Sequence, residues 1–130
     1  MTAPEPVFPD GVLAPFAPLS PAMTWNGLVF TSGQIPRGTE GEILGETVTE
    51  QTHGVLERLR LVLEAAGTDL KHVIRTTVYL TSIDDFADMN AAYKEVFGDH
   101  APTRTSVEVS ALAFPEYLVE IDAIAVTPSD

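Results

Sequence analysis

The sequence predicts a two-layer α+β domain, a mixed sheet of about six strands with two helices on one face. Three observations carry this reading. Two segments repeat apolar residues at helical spacing and each ends on a glycine. A β-branched run lies between them, and period-two segments follow near the end of the chain. The resulting order is strands, helix, strand, helix, two strands.

The elements follow in order. The first 21 residues hold six of the ten prolines, which predicts an irregular arm, loose at its tip, since proline lacks a ladder N–H. A single domain is expected over 22–126, with a short tail at 127–130. Asn26-Gly27 sits between Met23-Thr24-Trp25 and Leu28-Val29-Phe30-Thr31, the strongest short-range signal for a hairpin. Ser32 to Pro36 ends that strand, and 37–46 reads as a loop or short hairpin. Val48, Val55, Leu59, Val62 and Ala66 predict a helix over 48–66, stopped by Gly67. Val73 to Leu80 is a β-branched strand. Ser82-Ile83-Asp84-Asp85 resembles a capping box, and Phe86, Met89, Tyr93 and Phe97 continue it as a second helix ending at Gly98. The alternation around Arg104–Ser110 and Val119–Ala125 gives the last two strands. Apolar residues on both sides of the final strand predict that the second sheet face is also covered, by self-association.

Composition bounds the function. The chain has 130 residues, 19 Asp+Glu against 7 Lys+Arg and a net charge of −12. Nucleic acid and anionic membranes are disfavoured as partners, because phosphate contacts need clustered cations. Without cysteine there is no disulfide, thiolate zinc site or Cys nucleophile. The N-terminus lacks the features of a signal peptide and no apolar run is long enough to span a membrane, so a cytoplasmic protein is expected. His53, His72 and His100 show no ligand spacing, so no metal is expected.

A few residues carry candidate chemistry. Arg104 begins a strand on the side bearing Ser106 and Glu108; it is either a solvated strand-edge cation or a fork for a carboxylate. Lys71, Lys94, Arg58 and Arg60 fall on helix surfaces or loops, Arg37 on a flexible loop and Arg75 in mid-strand. Arg104 is therefore the cation expected to hold a small anion. Glu120 interrupts an apolar strand, which fits either an ion-pairing role or general acid/base work with a raised pKa. Ser32 is a turn residue or a donor to a ligand, with Gly33 permitting close approach. Asn90 reads as a solvent-facing helix residue.

Leu28–Pro36, Glu64–Gly67, Val73–Leu80, Phe86–Tyr93, Ala101–Val109 and Val119–Ala125 together resemble the Rid family of reactive enamine/imine deaminases, over roughly Pro18 to Val126. The resemblance implies a chorismate-mutase-like fold and a homotrimer with active sites between subunits. It implies that Arg104 binds the carboxylate of a 2-imino acid and that Glu120 helps to activate water, giving a 2-oxo acid and ammonia. Ser32 and Asn90 are implied to line the cleft, and no metal or organic cofactor is implied. The chain departs from the best-known branch. Leu19 stands where that branch has a cleft tyrosine, Ser106 where it often has cysteine, and Ala111–Tyr117 is bulkier than the common form. A non-catalytic module that binds 2-oxo acids is the alternative reading.

Overall fold

The computed structural model describes residues 3–128. Its elements are β1 (Glu5–Val7), β2 (Ala22–Trp25), β3 (Leu28–Thr31), α1 (Val48–Ala65), β4 (Val73–Leu80), α2 (Phe86–Phe97), β5 (Thr103–Glu108) and β6 (Val119–Val126). The six strands form one sheet in the order β1-β2-β3-β6-β4-β5. β4 and β5 are parallel; the remaining neighbours are antiparallel. This is the expected mixed α+β, chorismate-mutase-like architecture.

Local chemistry accounts for the element ends. Asn26 and Gly27 both take positive φ, 50° and 78°, the backbone that a tight hairpin between β2 and β3 requires. Thr47 caps α1 through a reciprocal bond with Glu50, and Gly67 follows its end at φ 86°. The apolar stripe of α1 is driven home: Val55, Leu56, Leu59, Val62 and Leu63 are fully buried. They join Val29, Val78, Leu80, Ile121 and Ala125 in one core, each large side chain worth about 1.5–3 kcal/mol of burial. α1 packs on β6 and α2 packs on α1.

Two local expectations change. The proline-rich arm is not wholly irregular: Glu5–Val7 pairs with β2 in the register Pro6↔Met23. Proline is tolerated there because β1 is the sheet's edge, where one side needs no ladder donor. Ser82 caps a short 3-10 turn, Ile83–Asp85, rather than α2, which starts at Phe86 behind an Asp85 that makes no side-chain cap. Met1 and Thr2 of the arm, and Ser129 and Asp130 of the tail, lie outside the described residues.

Strand alternation leaves the face away from the helices rich in apolar side chains. Met23 pairs with Phe30 and Phe30 with Ile124. Met23, Phe30 and Val107 are exposed there. Among the described residues no helix is long and apolar enough to cross a membrane.

Candidate functional site

Register decides which candidates meet. On parallel strands β4 and β5, Arg104 stands opposite Thr76 and Ser106 opposite Val78. Thr76 and Val78 are buried beneath the helices, so Arg104 and Ser106 lie on the helix-covered face. Glu120 stands opposite Tyr79 and Asp122 opposite Thr77, which places both carboxylates on the other face. Within one protomer Arg104 and Glu120 are therefore on opposite sides of the sheet.

The Arg104 half is a groove of about 550 Å³ between α2 and the start of β5, lined by Asn90, Tyr93 and Arg104 among others. The guanidinium lies 4.8 Å from the Tyr93 ring centroid and 5.6 Å from that of Phe86, within cation–π range of both. No carboxylate of the described residues pairs with it. Tyr93 is held from beneath by a 2.7 Å hydrogen bond with buried Thr76. Burial pushes the Tyr93 hydroxyl up, against the smaller pull of that bond and of Arg104. Asn90 is not solvent-facing as expected. It is half-buried, and its Oδ1, like the Ser106 hydroxyl, is buried with no hydrogen-bond partner. Asn90 lines the same groove as the guanidinium, and Ser106 follows Arg104 two residues along β5.

The Glu120 half is a cavity of about 380 Å³ where the arm, the end of β3, α1 and the Ala111–Tyr117 loop converge. It brings together Leu19, Ser32, Gly33 and Glu120. Burial raises the Glu120 carboxyl above its usual 4.5, and the nearby Asp122 charge adds to this. Asp122 accepts from the Tyr79 hydroxyl at 3.0 Å, and burial with these carboxylates raises Tyr79 in turn. The Glu120 carboxylate packs against Gly33, so a Cβ at that position would displace it. The close approach anticipated at Gly33 is thus made by Glu120. The Ser32 hydroxyl, read either as a turn residue or as a donor to a ligand, donates to the Ser20 carbonyl at 2.7 Å and ties the arm to the end of β3. Leu19 is exposed on the cavity wall and offers no hydroxyl there.

The cavity corrects the sequence reading of two arginines. Arg37 is not on a free loop: its Nε donates to the Tyr117 hydroxyl at 2.5 Å, and its guanidinium stacks on Phe114 and Tyr117. Arg58 is not on the helix surface but half-buried and lines the cavity with Glu120. Gln34 also lines it, 2% exposed, with Oε1 unpartnered. Nothing in the local pattern distinguishes Gln34 or Arg58, because the segments that bury them come from far along the chain. Gln51 fastens one of these, donating to the Glu116 carbonyl at 2.9 Å and accepting from the Leu118 N–H at 2.8 Å. No group of three or more His, Asp or Glu among the described residues is arranged to hold a metal ion.

A family profile described as Endoribonuclease L-PSP matches residues 11–127. The chain belongs to this family, the Rid family. A RutC family protein of Pyrococcus horikoshii is 43% identical over 122 residues, which cover 93% of this chain and 96% of the relative. Among solved Rid structures, E. coli TdcF with bound serine is 34% identical with a TM-score of 0.89, covering 95% of this chain and 99% of that one. The YjgF gene product of E. coli is 32% identical with a TM-score of 0.88, covering 94% and 98%. The agreement spans both halves of the candidate Rid site.

Proposed function

We propose that this Rid protein hydrolyses reactive 2-imino acids, and the enamines that tautomerise to them, to 2-oxo acids and ammonia. The carrying observation is the pair of complementary half-sites. One offers a guanidinium seated on Tyr93 with no carboxylate partner among the described residues, and the other a half-buried carboxylate with a raised pKa. They lie on opposite faces of one sheet, so they form a whole site only between protomers. The exposed apolar face of the sheet supplies the surface for that assembly, and a homotrimer, typical of the family, gives three clefts.

In such a cleft Arg104 of one protomer clamps the substrate carboxylate through its planar fork. Asn90 and Ser106 border the clamp. Water adds to the imine carbon, with the Glu120 carboxylate of the neighbouring protomer accepting its proton. That proton passes to the imine nitrogen to complete the carbinolamine, and the carbinolamine's hydroxyl proton follows it to nitrogen by way of Glu120 as the C–N bond breaks, leaving a carbonyl and ammonia. An imine is already electrophilic, so orientation and one well-placed base suffice. The bound serine of TdcF supports a small amino-acid-like ligand for this site.

The test is the decay of 2-iminopropanoate released in situ by a pyridoxal-phosphate lyase. The protein accelerates it, Arg104→Ala abolishes the acceleration, and Arg104→Lys loses most of it because an ammonium cannot form the fork. An unaccelerated reaction, or full activity in Arg104→Ala, overturns the proposal. Leu19, in place of a hydroxyl-bearing residue, favours a second reading, a non-catalytic 2-oxo-acid binder. Calorimetric binding of 2-oxo acids without turnover of any imine would establish it. RNA cleavage, named in the family description, is disfavoured by the charge of −12.

A further inference from the structure

The chain has five arginines, and all but one have an evident role. Arg60 is paired with Glu57 and Glu64. Arg75 donates to Thr105, and Arg37 is locked against Tyr117 and the Gly41 carbonyl. Arg104 sits against the rings of Tyr93 and Phe86. Arg58 is different. One of its terminal nitrogens donates to the Arg37 carbonyl at 2.8 Å. Its Nε is buried with no partner, and no carboxylate among the described residues lies within 4.0 Å of it. Burial pulls its pKa down. In a chain with 19 carboxylates the absence of a counter-charge beside a half-buried cation is informative. A guanidinium removed from water is destabilising unless an anion answers it.

The place that Arg58 faces is the cavity that holds Glu120. Apolar side chains, Phe16, Leu19, Ile35 and Phe114 among them, make up much of its wall. A volume of about 380 Å³ lies within the range of small-molecule sites and leaves room beyond a three-carbon acid. The same cavity thus joins the reacting carboxylate, apolar side chains that suit methylene groups, and a cation with no carboxylate partner among the described residues.

We infer that Arg58 is a specificity-determining residue that binds a second carboxylate, so that the preferred substrates are dicarboxylic 2-imino acids with a short methylene side chain. This rests on the deaminase reading for the reaction but not for the binding. Arg104 and Arg58 then divide the recognition. Arg104, on β5 beside the α2 groove, takes the carboxylate next to the imine; Arg58, on α1 over the cavity, takes the one that ends the side chain. An apolar side chain leaves Arg58 buried without an anion, and a cationic one is repelled. The reaction is unchanged: water and the imine give the 2-oxo dicarboxylate and ammonia.

The experiment uses a pair of substrates that differ only in that group. A flavin amino-acid oxidase releases 2-iminoglutarate from glutamate or 2-iminopentanoate from norvaline, and kcat/KM is measured for each. Calorimetry on the resting protein compares 2-oxoglutarate with 2-oxopentanoate. The wild-type protein is expected to favour the dicarboxylate by about ten- to a hundredfold in both assays, the range of a charge-assisted hydrogen bond. Arg58→Gln collapses this ratio, and Arg58→Lys, which keeps the charge without the fork, retains part of it.

Equal treatment of the two ligands by wild type overturns the inference, and so does a preference that survives Arg58→Gln. If Arg58 only anchors the Arg37 loop, Arg58→Gln lowers the melting temperature and leaves the ratio intact, which also overturns it. The wild-type comparison needs no variant to fold. The two readings separate cleanly. Hydrolysis of both imines without preference removes the Arg58 assignment and leaves the deaminase. An Arg58-dependent preference for 2-oxoglutarate without any turnover does the reverse.

Discussion

If each cleft takes its guanidinium from one protomer and its carboxylate from the next, two inactive variants must rescue each other. Arg104→Ala and Glu120→Ala homotrimers each lack one half of every cleft. The separation is built into the pairing: Arg104 is opposite buried Thr76, whereas Glu120 is opposite Tyr79 on the other face of β4. No single protomer can close the gap through its own sheet. When the two variants are co-expressed in equal amounts, a cleft is whole only where a protomer retaining Arg104 abuts one retaining Glu120. Random assembly into closed trimers makes about a quarter of the clefts whole, so about a quarter of wild-type turnover returns. Distinguishable tags and native mass spectrometry confirm that the trimers are mixed, and 2-iminopropanoate decay gives the activity. Mixed trimers with no recovered turnover would refute the reasoning, since a site within one protomer gains nothing from mixing.

Two further outcomes follow from the Glu120 half-site. Gly33→Ala puts a methyl group into the space of the Glu120 carboxylate, and the flexible side chain is what yields. Turnover should fall about a hundredfold, as for a displaced catalytic group, with little change in thermal melting; unchanged turnover would show that the carboxylate position is unimportant. Because burial raises Glu120 above 4.5, it is protonated and unable to accept the water's proton at pH values where a free glutamate is ionised. In the substrate complex the clamp's charge is answered by the substrate, so kcat should decline with acid through a limb lying above pH 4.5. A limb at or below that pH, or one that persists in Glu120→Gln, would remove Glu120 from the proton transfer.

Much of this molecule can be read locally. Asn26-Gly27 forces its hairpin because both positions accept positive φ. The stripe from Val55 to Leu63 has one spacing and one way to be buried. Gly33 is recognisable in the chain as a site of close approach, but which atoms approach is not. Pro6 argues against a strand, and only the free edge beside β2 admits one. The unanswered polar atoms of Asn90 and Ser106 are invisible in the chain, since a hydrogen bond is known to be missing only when every neighbour is placed.

The arginines mark where local reading stops. The elements, the family resemblance and the singling out of Arg104 and Glu120 need nothing beyond the chain, because they rest on residue type and on spacing along it. The same grounds assign Arg58 to a helix surface, and there spacing fails. Whether a helix position meets water depends on what the chain lays over it, and here an arm near residue 16 and a loop near residue 114 arrive from opposite ends. Strand pairing is equally out of reach. Alternation ranks residues by face within one strand, whereas the register between β4, β5 and β6 fixes which faces agree. It takes the folded molecule to turn Arg104 and Glu120 to opposite faces, and to bring a second, unpaired cation into the cavity of the carboxylate.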